Sequence, residues 1–334
     1  MDKKIWGILI HLGRGMWGQS YPGNIVADKN SWDKIINKCA ECGLNTVVVD
    51  VGEGVQWKSH PEIAVDNAWS YELIQSEIVK AKEMGIELIP KVNFSATHDI
   101  WLRDYHKMVS TDIYYKVCKD LIEEVYEMFM HPSYIHIGMD EENWKHAKDN
   151  EYTVIRYKNA FVKDFNYLCE CVKNTGAGVH AWHDAWTYLD DEFQNQLDRD
   201  AIPELWMYYS YLKEHWTPIA NQSDWEKDYY ETEFVRRYGY KIEFIEEDPF
   251  VTLTTEFLHK FIKEGRKFLM APSNLFVKCS EVDSVKYIKE VCPDQSLFTG
   301  MMSAPWGSLT PDKDDFHIEA IELIGKAKKE YYNE

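Results

Sequence analysis

Eight short apolar runs alternate with amphipathic stretches along this chain, and that alternation restricts the fold more than any other feature. The runs are Ile5–Leu12, Thr46–Val51, Glu87–Val92, Tyr134–Ile135 leading to the pair Asp140-Glu141, Val179–Trp182, Ile202–Met207, Phe268–Ala271 and Leu297–Ser303. Between them, apolar residues recur at helical spacing. Trp32, Ile35, Ile36 and Cys39 follow a cap near Ser31; Ile74, Ile78 and Ala81 follow Ser70. Ile113, Val117, Leu121 and Val125 stripe a helix from about Thr111 to Met130, and Phe161, Phe165, Leu168 and Val172 stripe one that stops near Gly176. Further helices are expected at Thr255–Glu264, Val282–Val291 and Phe316–Lys329. Eight β/α units in series predict an α/β fold, a (β/α)8 TIM barrel, with residues 1–334 as one domain. An open doubly wound sheet fits less well, because no glycine-rich phosphate loop follows the first strand. The rhythm breaks from about Tyr211 to Thr252. That polar, aromatic and acidic stretch reads as an irregular insertion after strand six, either walling the barrel mouth or lying on the surface.

Composition narrows the function. With 334 residues, 45% of them hydrophobic, the chain can bury a large core. A formal net charge of -19 disfavours nucleic acid and anionic membranes as partners. No apolar run reaches membrane-spanning length. Met1-Asp2-Lys3-Lys4-Ile5 leads into the first strand without a small-residue cleavage site, so a cytoplasmic location is expected. Seven cysteines include a lone Cys39-x-x-Cys42 within a helix and a Cys169-x-Cys171 on another, a pattern of free thiols rather than of a disulfide framework or zinc site. Thirteen tryptophans and 21 tyrosines suit a protein that stacks on sugar rings.

In such barrels chemistry gathers where strands end. Here those ends offer His11 and Arg14, then Asp50, Glu53 and Trp57, then Lys91, Asn93 and His98. Strand four offers Asp140, Glu141 and Glu142; strand five Trp182, His183 and Asp184; strand six Trp206, Tyr208 and Tyr209. Strand seven gives Ser273 and Asn274, and strand eight Trp306. Carboxylates and arginine hydrogen-bond hydroxyls, and indoles cover apolar ring faces, so a carbohydrate partner fits. An Asp-Glu pair alone can also open a loop or cap a helix. Glycoside hydrolysis usually needs two carboxyl groups. Strand seven, ending Met270-Ala271-Pro272-Ser273-Asn274, supplies none, which points to another nucleophile. Substrate assistance provides one, the substrate's own 2-acetamido oxygen. Asp140 would then orient that group while Glu141 serves as general acid and base, a role that asks for a raised carboxyl pKa.

At this point the chain resembles the family 20 glycoside hydrolases, the β-N-acetylhexosaminidases. That family's strand-four motif is His-x-Gly-Gly-Asp-Glu, and this chain reads His136-Ile137-Gly138-Met139-Asp140-Glu141. The resemblance implies a strand-one arginine that binds sugar hydroxyls, matched by Arg14, and a histidine after strand three, matched by His98. It implies an acetamido pocket walled by Trp182, Trp206 and Trp306. Glu53 stands for the family's strand-two aspartate, and Asp184 joins the substrate-binding candidates. His11 replaces the family's strand-one aspartate, Ser308 replaces a glutamate after the last tryptophan, and the strand-seven tyrosine and aspartate are missing. The resemblance implies hydrolysis of a terminal β-linked N-acetylhexosaminide with retention, and no cofactor or metal. Two other readings stay open. His11, Asp50, His136, His180, His183 and Asp184 could gather round a divalent ion, as in a sugar isomerase or metal-dependent hydrolase, although His136 and His180 read as beginning their strands, too deep for it. A non-catalytic carbohydrate-binding barrel is the other.

Overall fold

The computed structural model describes residues 3–15, 21–147, 150–152, 154–187, 189–212, 215 and 249–332. Eight parallel strands close into a barrel in sequence order. They are β1 (Ile5–His11), β2 (Thr46–Asp50), β3 (Glu87–Lys91), β4 (Tyr134–His136), β5 (Gly178–Trp182), β6 (Ile202–Met207), β7 (Phe268–Pro272) and β8 (Phe298–Ser303). The principal helices between and after them are α1 (Lys29–Glu41), α2 (Tyr71–Glu83), α3 (Asp112–Met128), α4 (Asn159–Thr175), α5 (Pro249–Glu264), α6 (Ser280–Val291) and α7 (Asp314–Tyr332). The (β/α)8 barrel expected from the alternation is the observed fold. Most of the expected irregular stretch at 211–252 lies outside the described residues, and α5 begins within it, at Pro249 rather than Thr255.

Side chains on a strand point alternately to its two faces. Here the alternation sorts the core into two clusters. Ile8, Ile10, Val47, Val49, Leu88, Leu205 and Met270 pack outward among the helices. Leu9, Val48, Ile89, Trp182, Leu269 and Met302 pack inward. Both faces are buried, so the strands read as continuous apolar runs. Helix α3 shows the matching logic at period 3.6: Tyr114, Val117, Cys118, Leu121, Ile122, Val125 and Met128 are buried. Each such side chain is worth about 1.5–3 kcal/mol when fully buried. Ile113, placed on that stripe by sequence, is 56% exposed, because the buried face begins one residue later at Tyr114. The cap of α1 also moves: Asp28 Oδ1 accepts the Ser31 N–H at 2.9 Å, so Ser31 lies inside the helix. Ser70 caps α2 and Gly176, at φ 100°, ends α4.

Continuing the inward alternation by one step replaces apolar residues with polar ones. His11, Asp50, Lys91 and His136 are register neighbours in turn around the wall, followed by His180. Lys91 and Asp50 form a buried ion pair. His180 Nδ1 and His136 Nε2 lie 2.6 and 3.5 Å from the Glu204 carboxylate of β6. Burial alone would raise the Glu204 carboxyl, but the two histidines outweigh it and hold the group at about 2. This paired layer lies beneath the mouth.

Candidate active site

The segment after β4 departs from regular backbone. Gly138, Met139 and Glu141 have φ values of 72°, 69° and 54°, in the left-handed region that costs most residues energy. Glycine is required at 138, since a Cβ there would lie 2.0 Å from Asn93 Oδ1. That close approach lets Asn93, two residues past β3, clamp the turn. Its Nδ2 donates to Asp140 Oδ1 at 2.9 Å, and its Oδ1 accepts from the Ser95 N–H at 3.0 Å. Ser95 Oγ and Thr97 Oγ1 donate to the Asp140 carbonyl.

The twisted backbone separates three consecutive acids. Asp140 is buried and faces Asn93, with His98 Nε2 3.7 Å from its other oxygen. Glu141 is part-exposed: His98 Nε2 lies 3.0 Å and His146 Nε2 3.2 Å from its Oε2. Glu142 turns inward. Its carboxylate pairs with the buried Arg156, whose Nε lies 3.0 Å from both oxygens, and accepts the Ala96 N–H at 2.8 Å. Arg156 also donates to Asp164 of α4 at 3.2 Å and to the Phe94 carbonyl at 2.7 Å. Glu142, read as a mouth residue, is therefore the strut that fixes the other two.

Asp184, just past β5, accepts the Glu141 N–H at 3.3 Å and the Trp206 Nε1–H at 2.8 Å. Burial, and then the neighbouring Asp140, raise its carboxyl to about 7. Aromatic rings stand around these acids. Trp182 and Trp306 have centroids 5.8 Å apart, Trp206 and Tyr208 5.2 Å, and Tyr208 and Trp306 6.2 Å. His11 lies 5.5 Å from Trp306, and burial lowers its pKa. The structure thus brings Asp140, Glu141, His98, Asp184, Trp182, Trp206 and Trp306 together. Two candidates take other positions. Glu53 is fully buried, and its carboxylate accepts the backbone N–H groups of Arg14 and Gly15. It holds the turn after β1, a use open to a glutamate because its longer side chain spans from one loop to the next. Arg14 is exposed, and the hydrogen bond linking it to Glu53 is through its backbone. His146 had no sequence signal, since it lies outside any strand end; Tyr208 and Asn93 stood at strand ends but carried no distinguishing motif.

Two three-ligand groupings with metal-compatible spacing occur among the described residues: His98, Asp140 and Glu141 in this site, and His215, Cys279 and Asp283 at the start of α6. The set considered from sequence does not gather among the described residues. His136 ends β4 and His180 is mid-strand in β5, both committed to Glu204, and burial lowers His183 to about 3. All seven cysteines are free, five of them buried.

No family model matches the chain. A curated lacto-N-biosidase from Bifidobacterium bifidum is 22% identical over 200 residues, covering 52% of this chain and 18% of that protein. Dispersin B matches with a TM-score of 0.58 at 14% identity, over 99% of this chain and 100% of its own. A GH20 exo-β-N-acetylglucosaminidase from Vibrio harveyi, solved with N-acetylglucosamine, matches with a TM-score of 0.62 at 13% identity, over 98% of this chain and 54% of its own. The Streptomyces plicatus N-acetyl-β-hexosaminidase has a TM-score of 0.58 at 12% identity, over 96% of this chain and 64% of its own. The chain therefore spans a minor part of the curated relative and about half of the Vibrio protein. It shares the barrel fold of these solved structures.

Proposed function

We propose that the protein is a glycoside hydrolase that removes a terminal β-linked N-acetylhexosamine with retention, through substrate assistance. One observation carries the reading: two adjacent carboxylates, Asp140 and Glu141, occupy unlike environments at one mouth ringed by Trp182, Trp206, Tyr208 and Trp306. Proteins of the same fold include ones named for action on N-acetylhexosaminides, which supports the substrate class.

Asp140, buried and held by Asn93, is fixed enough to orient an acetamido group and to offset positive charge as its oxygen attacks the anomeric carbon. Glu141, part-exposed and touched by two histidines, is placed to give a proton to the leaving oxygen and later take one from water. The ring box gives the methyl of the acetamido group and the sugar's apolar face a dry surface. Asp184, largely neutral below about pH 7, keeps a third negative charge away from the developing cation's partners while its oxygens fix the Glu141 amide and the Trp206 ring.

The test is turnover by the wild type of four aryl β-glycosides: N-acetylglucosaminide, N-acetylgalactosaminide, glucoside and galactoside. Hydrolysis confined to the acetamido sugars is the expected result. Comparable turnover of the plain sugars would require a protein nucleophile and would overturn substrate assistance.

A further inference from the structure

The second grouping of donors, on the rim beside the candidate active site, is unused by the proposed reaction. Cys279 is the N-cap of α6, and Asp283 lies one turn on, so their side chains share a helix face. His215 comes from the segment after β6. A nitrogen, a sulfur and an oxygen from these three side chains lie within 4.8 Å of one another. We infer that His215, Cys279 and Asp283 bind a zinc-class divalent cation, and that this ion pins the residues following β6 to the start of α6.

The donor set argues for the class. Thiolate and imidazole select zinc-like ions over calcium or magnesium, which prefer oxygen alone. Electrostatics argue for a cation. Asp283 is 2% exposed, yet its ion pairing among the described residues is to His215 alone, at 2.6 Å. A buried carboxylate normally has a firmer partner than one part-exposed imidazole. The same carboxylate also accepts the Ser210 hydroxyl.

Binding is balanced by one proton: Cys279 releases its thiol proton to solvent and ligates as thiolate. Asp283 already ligates as carboxylate, and His215 ligates through Nδ1 with its proton on Nε2. Ligand atoms round a tetrahedral ion stand roughly 3.5 Å apart. His215 must therefore back away from Asp283, which its side chain, 42% exposed, has room to do. Ser210 lies two residues beyond Tyr208, so an ion here steadies one wall of the aromatic box without touching substrate.

Chelator-treated full-length protein would be dialysed against Zn2+ alone, and separately titrated with Co2+ while thiolate-to-metal charge-transfer absorption is followed. One equivalent of Zn2+ and a thiolate band are expected. Cys279→Ser and His215→Gln should each weaken binding at least about tenfold and Cys279→Ser should abolish the band. Cys42→Ser and His98→Gln should change neither. His215 is surface-exposed, so His215→Gln keeps the test valid if Cys279→Ser fails to fold. Binding below one equivalent, a spectrum without a thiolate band, or affinity unaltered by His215→Gln would overturn the inference. Loss of binding in His98→Gln alone would place the ion at Asp140 and Glu141 instead.

Discussion

Two buried acids of the barrel, Glu204 in the interior and Asp184 at the mouth, meet opposite fates. In the interior layer, Glu204 lies between His136 and His180 and Asp50 lies on Lys91; the histidines hold Glu204 at about 2. At the mouth, Asp184 has hydrogen bonds but no cation partner among the described residues, and its carboxyl rises to about 7. The residue types are alike. At Glu204 two histidine partners outweigh burial, whereas at Asp184 burial and the neighbouring Asp140 act in the same direction.

The largest effect should come from breaking a compensated pair next to the mouth. Glu142→Gln leaves Arg156 buried without its full partner and should cost about 3–5 kcal/mol of stability, read by chemical denaturation. A loss below about 1 kcal/mol would show that Glu142 is not the strut. Gly138→Ala comes next. Its Cβ would meet Asn93 at 2.0 Å in a left-handed backbone, so about 1–3 kcal/mol should be lost, along with activity as the Asn93–Asp140 bond is displaced. Full activity in that variant would sever the clamp from the chemistry.

A pH series sharpens the contrast. An acid whose folded pKa lies above its unfolded value favours folding at low pH, and that advantage is lost as pH rises through the folded pKa. Asp184 should therefore lower stability by up to about 1.4 kcal/mol per pH unit from roughly pH 4 to its folded value of about 7, with no further change above. Glu204 has the opposite sign: its contribution is present above roughly pH 4.5 and lost as pH falls towards about 2. Asp184→Asn should make the first slope shallower and leave the second, as followed by thermal unfolding across pH; Glu281, raised to about 8, and Asp50, Glu53 and Asp99, each raised by burial, should leave a residual slope. The smallest effect belongs to Ile113→Ser, within about 0.5 kcal/mol, because that side chain is mostly exposed.

These comparisons also mark how far the sequence could be read. Strand and helix positions were legible because alternation of period two and stripes of period 3.6 are written in side-chain chemistry. Asp140 and Glu141 were legible because an apolar run stops just before them. The separate fates of Glu141 and Glu142 were not, since they turn on backbone φ values and on Arg156, fourteen positions on in an irregular loop. Glu53 misled for a related reason: its charge and place fit a hydroxyl ligand, while backbone amides only the folded loop brings near take up its oxygens. Ile113 failed by one residue, a helical rotation of about 100°.

The most direct measurement is the hydrolysis rate of an aryl β-N-acetylhexosaminide by folded wild type, Asp140→Asn and Glu141→Gln. Division of labour between the two carboxylates predicts that each variant loses about a hundred- to ten-thousand-fold in kcat with little change in KM. Rates within tenfold of wild type in both would contradict it and place the chemistry on other residues.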